Sequence, residues 1–178
     1  MALCDYLLDR DIMGYDCDNP PVKGVQATGL LINRNDISSW AIGAISLKCG
    51  SKKAYKIVQS GKTPFNGTQQ EMQEGAHQNT MNNTVQLVVL KQDENWAEQL
   101  FALINGEFVA VLANNNGTHQ AFGLETGLHC TGAVRELYND DTLAGWQITF
   151  TEEGATKPYI GITKSNFNLL QQGTAPCI

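Results

Sequence analysis

Two short apolar runs, TVQLVVLKQ (residues 84–92) and EFVAVLA (107–113), flank the one stretch whose apolar residues recur at helical spacing. Trp96, Leu100, Leu103 and Ile104 stand four, three and one residue apart, and Phe101 widens the stripe they make along one side of a helix. Asp93 and Glu94 suit the positive end of that helix's dipole, and Asp93 or Asn95 can cap it. Asn105-Gly106 offers a left-handed stop, so the pattern predicts a helix over 94–105. Elsewhere from Gly24 onward the chain reads as strands separated by Gly, Asn and Asp turns: 25–34, 40–49, 52–58, 119–126, 127–137 after a break near Gly127, 146–153 and 157–163. The polar residues 35–39 read as a break, and Gly50-Ser51 as the turn of a hairpin joining 40–49 to 52–58. About eight strands around one flanking helix make the expected fold mainly β, a sandwich or barrel over residues 24–163. Residues 164–178 then supply a short helix and tail, and residues 1–23, which lack sustained periodicity, an N-terminal arm.

At 178 residues the chain suffices for one domain that buries roughly 70% of its unfolded surface. No window approaches the roughly 18 apolar residues of a membrane span, and the N-terminus lacks a basic segment followed by an apolar run, so neither a membrane partner nor a secretory signal is expected. The formal net charge of −6 argues against binding a phosphate backbone, which demands clustered Lys and Arg. Lys48, Lys52, Lys53 and Lys56 do cluster, and read as the wet side of the expected hairpin. The five cysteines, Cys4, Cys17, Cys49, Cys130 and Cys177, are odd in number and never spaced as CxxC, so reduced thiols are expected. With His77, His119 and His129 they show no metal-ligand spacing, and no cofactor is expected.

The motifs that suggest chemistry fail on inspection. Ser60-Gly61-Lys62-Thr63 resembles the tail of a phosphate-binding loop, but Lys56 stands where its first glycine belongs and Pro64 follows the Lys-Thr pair. Asp9, Asp11 and Gly14 resemble a calcium loop whose fifth and twelfth places hold Met13 and Pro20 instead of oxygen ligands. No Gly-x-Ser-x-Gly elbow occurs, and His129 and Cys130, adjacent on a strand, point to opposite faces. Glu125, Glu136, Asp140, Asp141, Glu152 and Glu153 crowd the C-terminal half, yet lie in turns and strand ends without sugar-stacking aromatics, as a solvated acidic face would. Trp40, Trp96 and Trp146 read as core anchors. A non-enzyme is expected.

Residues 59–83 stand out by their polarity: within a stretch rich in Gly, Gln, Asn and Thr, the larger apolar residues are Phe65, Met72 and Met81. Read as a long loop, this stretch would lose about 1–2 kcal/mol of backbone entropy per ordered residue with little burial in return. Contacts from a neighbouring copy would offset that loss, which favours a self-assembling subunit.

Three blocks carry a resemblance: AYKIVQSGKTPFNGTQQ (54–70), QLVVLKQDENWAEQLFALINGEFVAVLANN (86–115) and AFGLETGLHCTGAVRELYNDDTLAGWQITFTEE (121–153). They resemble structural proteins of tailed phages and prophages of Bacteroidetes-type hosts, near the tail tube or tail-ring class. The resemblance implies a virion protein that builds stacked, hexameric rings around a channel for DNA, with itself and other phage structural proteins as partners and no specific hold on the DNA. It implies ring-to-ring contacts through the arm and through the long loop, at Phe65, Asn66, Gly67, Met72 and Met81. Acidic walls would let DNA slide, with channel-facing residues drawn from Glu125, Glu136, Asp140, Asp141 and Glu152. A neck, head-completion or adaptor ring, a capsid-decorating or host-binding module, and a carbohydrate-active enzyme are the alternatives.

Overall fold

The computed structural model describes residues 23–50, 54–90, 95–138, 140 and 143–173. The expected arm (save Lys23), Lys52 and Lys53 of the expected hairpin, the helix start at Asp93 and Glu94, Asp141 and the last five residues lie outside the described residues. The strands are β1 (Val25–Asn33), β2 (Ile37–Ala41), β3 (Ala44–Leu47), β4 (Tyr55–Val58), β5 (Gln69–Gln73), β6 (Thr80–Val89), β7 (Glu107–Asn114), β8 (His119–Phe122), β9 (Leu128–Arg135), β10 (Trp146–Ala155) and β11 (Ile160–Ile162). The helices are α1 (Trp96–Asn105) and α2 (Lys164–Gln172). The fold is mainly β, as expected.

Nine strands form one antiparallel sheet that divides into two leaves. One runs β11-β8-β7-β1-β4 and the other β9-β10-β6-β5, joined where Glu107 and Phe108 at the start of β7 pair with His129 and Leu128 of β9. Between the leaves lies an inner core of Leu31, Phe108, Leu112, Leu128, Ile148 and Phe150, with the Phe108 and Phe150 rings edge to face at 5.7 Å. The run FVAVLA lacks alternation because both faces of β7 are covered. Val109, Val111 and Ala113 face an outer core shared with Leu30 and Ile32 of β1, Ile45 and Leu47 of β3, and Phe167 and Leu170 of α2. β10 does alternate, Ile148, Phe150 and Glu152 being buried.

Several boundaries differ from expectation for identifiable reasons. Residues 35–39 are not a break: Ile37–Ala41 is β2, and it pairs with β3 as a separate hairpin. β3 therefore does not pair with β4, whose partner is β1. Trp40, on exposed β2, stays 39% accessible and does not anchor a core, whereas Trp96 and Trp146 pack against the inner one. Residues 59–83 are not one loop, since they contain β5 and the start of β6. α1 takes no side-chain cap from Asn95, and Gly106 leaves it extended (φ −90°) because β7 begins at the next residue. Gly106 is there for space: a Cβ would sit 2.4 Å from the Phe108 ring and 2.8 Å from the Ala102 carbonyl. α2 is capped at both ends, by a Thr163 side chain accepting from the Asn166 N–H and by a left-handed Gly173 closing on Leu169 and Leu170.

His119, at the start of β8, is buried with its ring 4.6 Å from that of Phe167. Burial, and secondarily the charge of Lys164, lowers its pKa from 6.5. The folded chain thus binds fewer protons than the unfolded one below that pH, so stability is expected to fall as pH drops from 6.5 through the depressed value. Urea midpoints of the wild type and His119→Leu across that window check this: the wild type should lose stability relative to the variant as the pH falls.

Candidate assembly surface

The expected contact residues fall into two groups. Residues 59–68 cross from β4 to β5 and finish the sandwich from within. The Gln59 side chain donates to the Val88 carbonyl at 3.0 Å and accepts the Val88 N–H at 2.8 Å. The Thr68 hydroxyl accepts the Gln86 N–H at 3.2 Å. These side chains satisfy the part of β6 that β5, pairing only as far as Thr84, leaves without a strand. Phe65 is 3% exposed in the inner core, so its expected role in a ring-to-ring contact is corrected to one of internal packing. Gly67, though on the surface, is held by its left-handed turn (φ 92°) over Gln86, which a Cβ would strike. Asn66 alone of this trio presents an exposed side chain. Lys62-Thr63 lie in bends with no helix after them, as the rejection of a phosphate loop requires.

Beyond Thr68 the character changes. Every residue of β5 is exposed, and residues 74–79, which join it to β6, are exposed too. Met72 stands opposite Met81 across the ribbon and is 58% exposed, while Met81 is half-buried. A two-stranded ribbon with uncovered faces is marginal by itself. Gln70 donating to the Pro158 carbonyl (2.9 Å) tethers this one to the body.

The acidic residues separate likewise. Glu152 is 2% exposed, which corrects its assignment to a channel face. Its carboxylate accepts from Asn83 and the Gly123 N–H on one oxygen, both at 2.8 Å, and from the Glu125 and Thr126 N–H groups on the other, both at 3.2 Å. Glu125, half-buried, accepts from the N–H and hydroxyl of Thr156. Glu136 and Asp140 are exposed in the turn between β9 and β10, beside exposed Leu137 and Leu143 and a Tyr138 that is 98% accessible. Arg135 donating to the Ala144 carbonyl at 3.0 Å braces this turn.

Sequence reading missed a groove of about 670 Å³ where the start of β1, the end of β7 and residues 62–68 meet. Lys23 and Lys62 line it with Thr63, Asn115 and Asn116, and among the described residues no Asp or Glu does. The two lysines are far apart in the chain, so no local pattern announces them. At the opposite end of β7, Glu107 takes both Arg34 (3.5 Å) and His129 (3.3 Å). Among the described residues no group of three His, Cys, Asp or Glu could hold a metal ion, and no helix is long and apolar enough to cross a membrane. Compared with protein-family models, with curated proteins and with solved structures, the chain finds no match in any of the three.

Proposed function

We propose that this chain is a self-assembling structural subunit, and that its assembly is a ring or stacked tube of a tailed-phage virion through which DNA passes. The observation that carries the reading is the β5–β6 ribbon, a strand exposed on both faces whose Met72 waits for an apolar cover. A second copy laid against it would bury that surface, and repetition of one such contact builds a closed ring or a tube. The two-leaf architecture with flanking helices and the three sequence blocks support the phage tail-ring reading of that subunit. Within it, the acidic balance keeps DNA from sticking, with Glu136, Asp140 and Glu125 the described acids available to a channel wall. The partners would be further copies, hexameric for a tube, and neighbouring virion proteins.

Sedimentation and negative-stain electron microscopy of the concentrated protein test this together. Stacked rings are the expected result. Single rings that never stack would move the chain to a neck or adaptor position, and a monomer at every concentration would overturn self-assembly.

A further inference from the structure

We infer that Asn66 is a site at which the chain modifies itself: the Gly67 nitrogen attacks the Asn66 carboxamide and converts it, with loss of ammonia, to aspartate and isoaspartate. The fold selects this site and protects two others of the same sequence. The inference is independent of the self-assembling reading. The chain contains three Asn-Gly pairs, Asn66-Gly67, Asn105-Gly106 and Asn116-Gly117. In each, the glycine lacks the Cβ that would shield its nitrogen and restrict its backbone, so local sequence favours the reaction at all three. All three asparagines are exposed, so accessibility does not choose among them either.

Hydrogen bonding does choose. The Asn105 Nδ2 donates to the Phe101 carbonyl at 2.8 Å, which draws the carboxamide back along α1 and away from the Gly106 nitrogen. Asn116 is held at both reacting ends. Its Oδ1 accepts from the Thr118 N–H at 3.0 Å and hydroxyl at 2.7 Å, while the Gly117 N–H donates to the Asn114 carbonyl at 3.0 Å. Asn66 stands apart: neither its carboxamide nor the Gly67 N–H has a hydrogen-bond partner among the described residues. The bond that closes its turn, from the Thr68 N–H to the Phe65 carbonyl at 3.1 Å, spans the reacting peptide without engaging it. The step needs nucleophile and electrophile brought into near-attack geometry, and the pair with neither group held reaches it most often.

Water is the only co-reactant. The Gly67 nitrogen forms a bond to Asn66 Cγ, its proton departs with the amide nitrogen as ammonia, and a cyclic imide remains. Water opens that ring at either carbonyl, leaving a new carboxylate. The charge appears in the groove that Asn66 lines together with Lys23 and Lys62. Isoaspartate also lengthens the main chain between the buried Phe65 and Thr68, whose hydroxyl accepts the Gln86 N–H. The crossing that completes β6 should loosen as a result.

Dilute full-length protein, held in mildly alkaline buffer and followed by peptide mapping with mass spectrometry, tests this. In the folded chain Asn66 should convert roughly fivefold or more ahead of Asn105 and Asn116, the factor for breaking one typical hydrogen bond first. In urea the three rates should converge. The converted fraction, separated by anion exchange, should show faster hydrogen exchange at Gln86 than the unconverted protein, with Val109 unchanged. Folded protein in which Asn105 or Asn116 keeps pace, or in which no asparagine converts, would overturn the site. A lead for Asn66 that persists in urea would overturn the selection by the fold, and unchanged exchange at Gln86 the loosening. Self-assembly is read separately, by sedimentation, and stands or falls without these results.

Discussion

Glu152→Leu is expected to lower folding stability by about 3–5 kcal/mol, because it leaves several buried N–H donors without an acceptor at roughly 1–3 kcal/mol each, with some relaxation among them. The leucine fills nearly the same space, so the loss isolates the four donors that the carboxylate satisfies: the side chain of Asn83 and the N–H groups of Gly123, Glu125 and Thr126. Those three backbone groups lie where β8 gives way to β9, in a bend that contains left-handed Gly123 and Gly127. A Cβ on Gly123 would meet the Phe108 carbonyl at 2.6 Å, so the bend passes too close to β7 to be hydrated from that side. Glu152→Gln should lose only about 1–3 kcal/mol, the cost of one donor left without an acceptor. The reason is Asn83, whose Oδ1 is buried without a partner. Rotating that amide turns Oδ1 towards the new Gln NH2 and moves Nδ2 into the place where Oδ1 already lacked a partner, so the added loss is the Gly123 N–H. Urea midpoints at constant slope measure both variants. A Glu152→Gln protein as stable as wild type, or a Leu variant no worse than the Gln one, would mean that water reaches the carboxylate.

The same residue shows what was legible in the chain. WQITFTEE alternates, and the period that buries Ile148 and Phe150 buries Glu152 as well. Extending the alternation by one more step would have taken this acid off the channel face. Apolar runs and glycine turns located β6, β7, β9 and β10 because those strands line the cores. β2 and β5 were illegible for the opposite reason: ISSWA and QQEMQ lie on exposed ribbons held by backbone hydrogen bonds, which leave no apolar period. Phe65 had its signal in isolation, one large ring in a polar stretch, whereas the convergence of Lys23 and Lys62 depends on tertiary structure alone.

Asn166→Ala is expected to lower stability by about 2–4 kcal/mol, from two backbone groups left buried at roughly 1–3 kcal/mol each with some relaxation between them. Asn166 lies on α2, and its side chain treats one residue of β3 as a neighbouring strand would. Its Oδ1 accepts the Ile45 N–H at 2.9 Å, and its Nδ2 donates to the Ile45 carbonyl at 3.2 Å, both buried. β3 has β2 on its other side, so this amide connects the β2–β3 hairpin to the helix that covers the outer core. Thr163 completes the clamp, its hydroxyl capping Asn166 while donating to the Gly43 carbonyl at 3.1 Å. The damage should therefore be concentrated: hydrogen exchange at Ile45 and its neighbours in the hairpin should accelerate more than exchange at Val109 or Phe150. Gln59 grips Val88 in the same two-bond manner and is as buried as Asn166, but Val88 is only half-buried where Ile45 is wholly so, and water can reach its backbone, so Gln59→Ala should cost less, about 1 kcal/mol. Equal losses at the two sites, or unchanged exchange at Ile45, would mean that burial does not set the strength of these grips. The expected inequality follows from what the amides hold: each completes a strand edge that the sheet leaves unpaired, and Ile45 is wholly buried where Val88 is only half-buried.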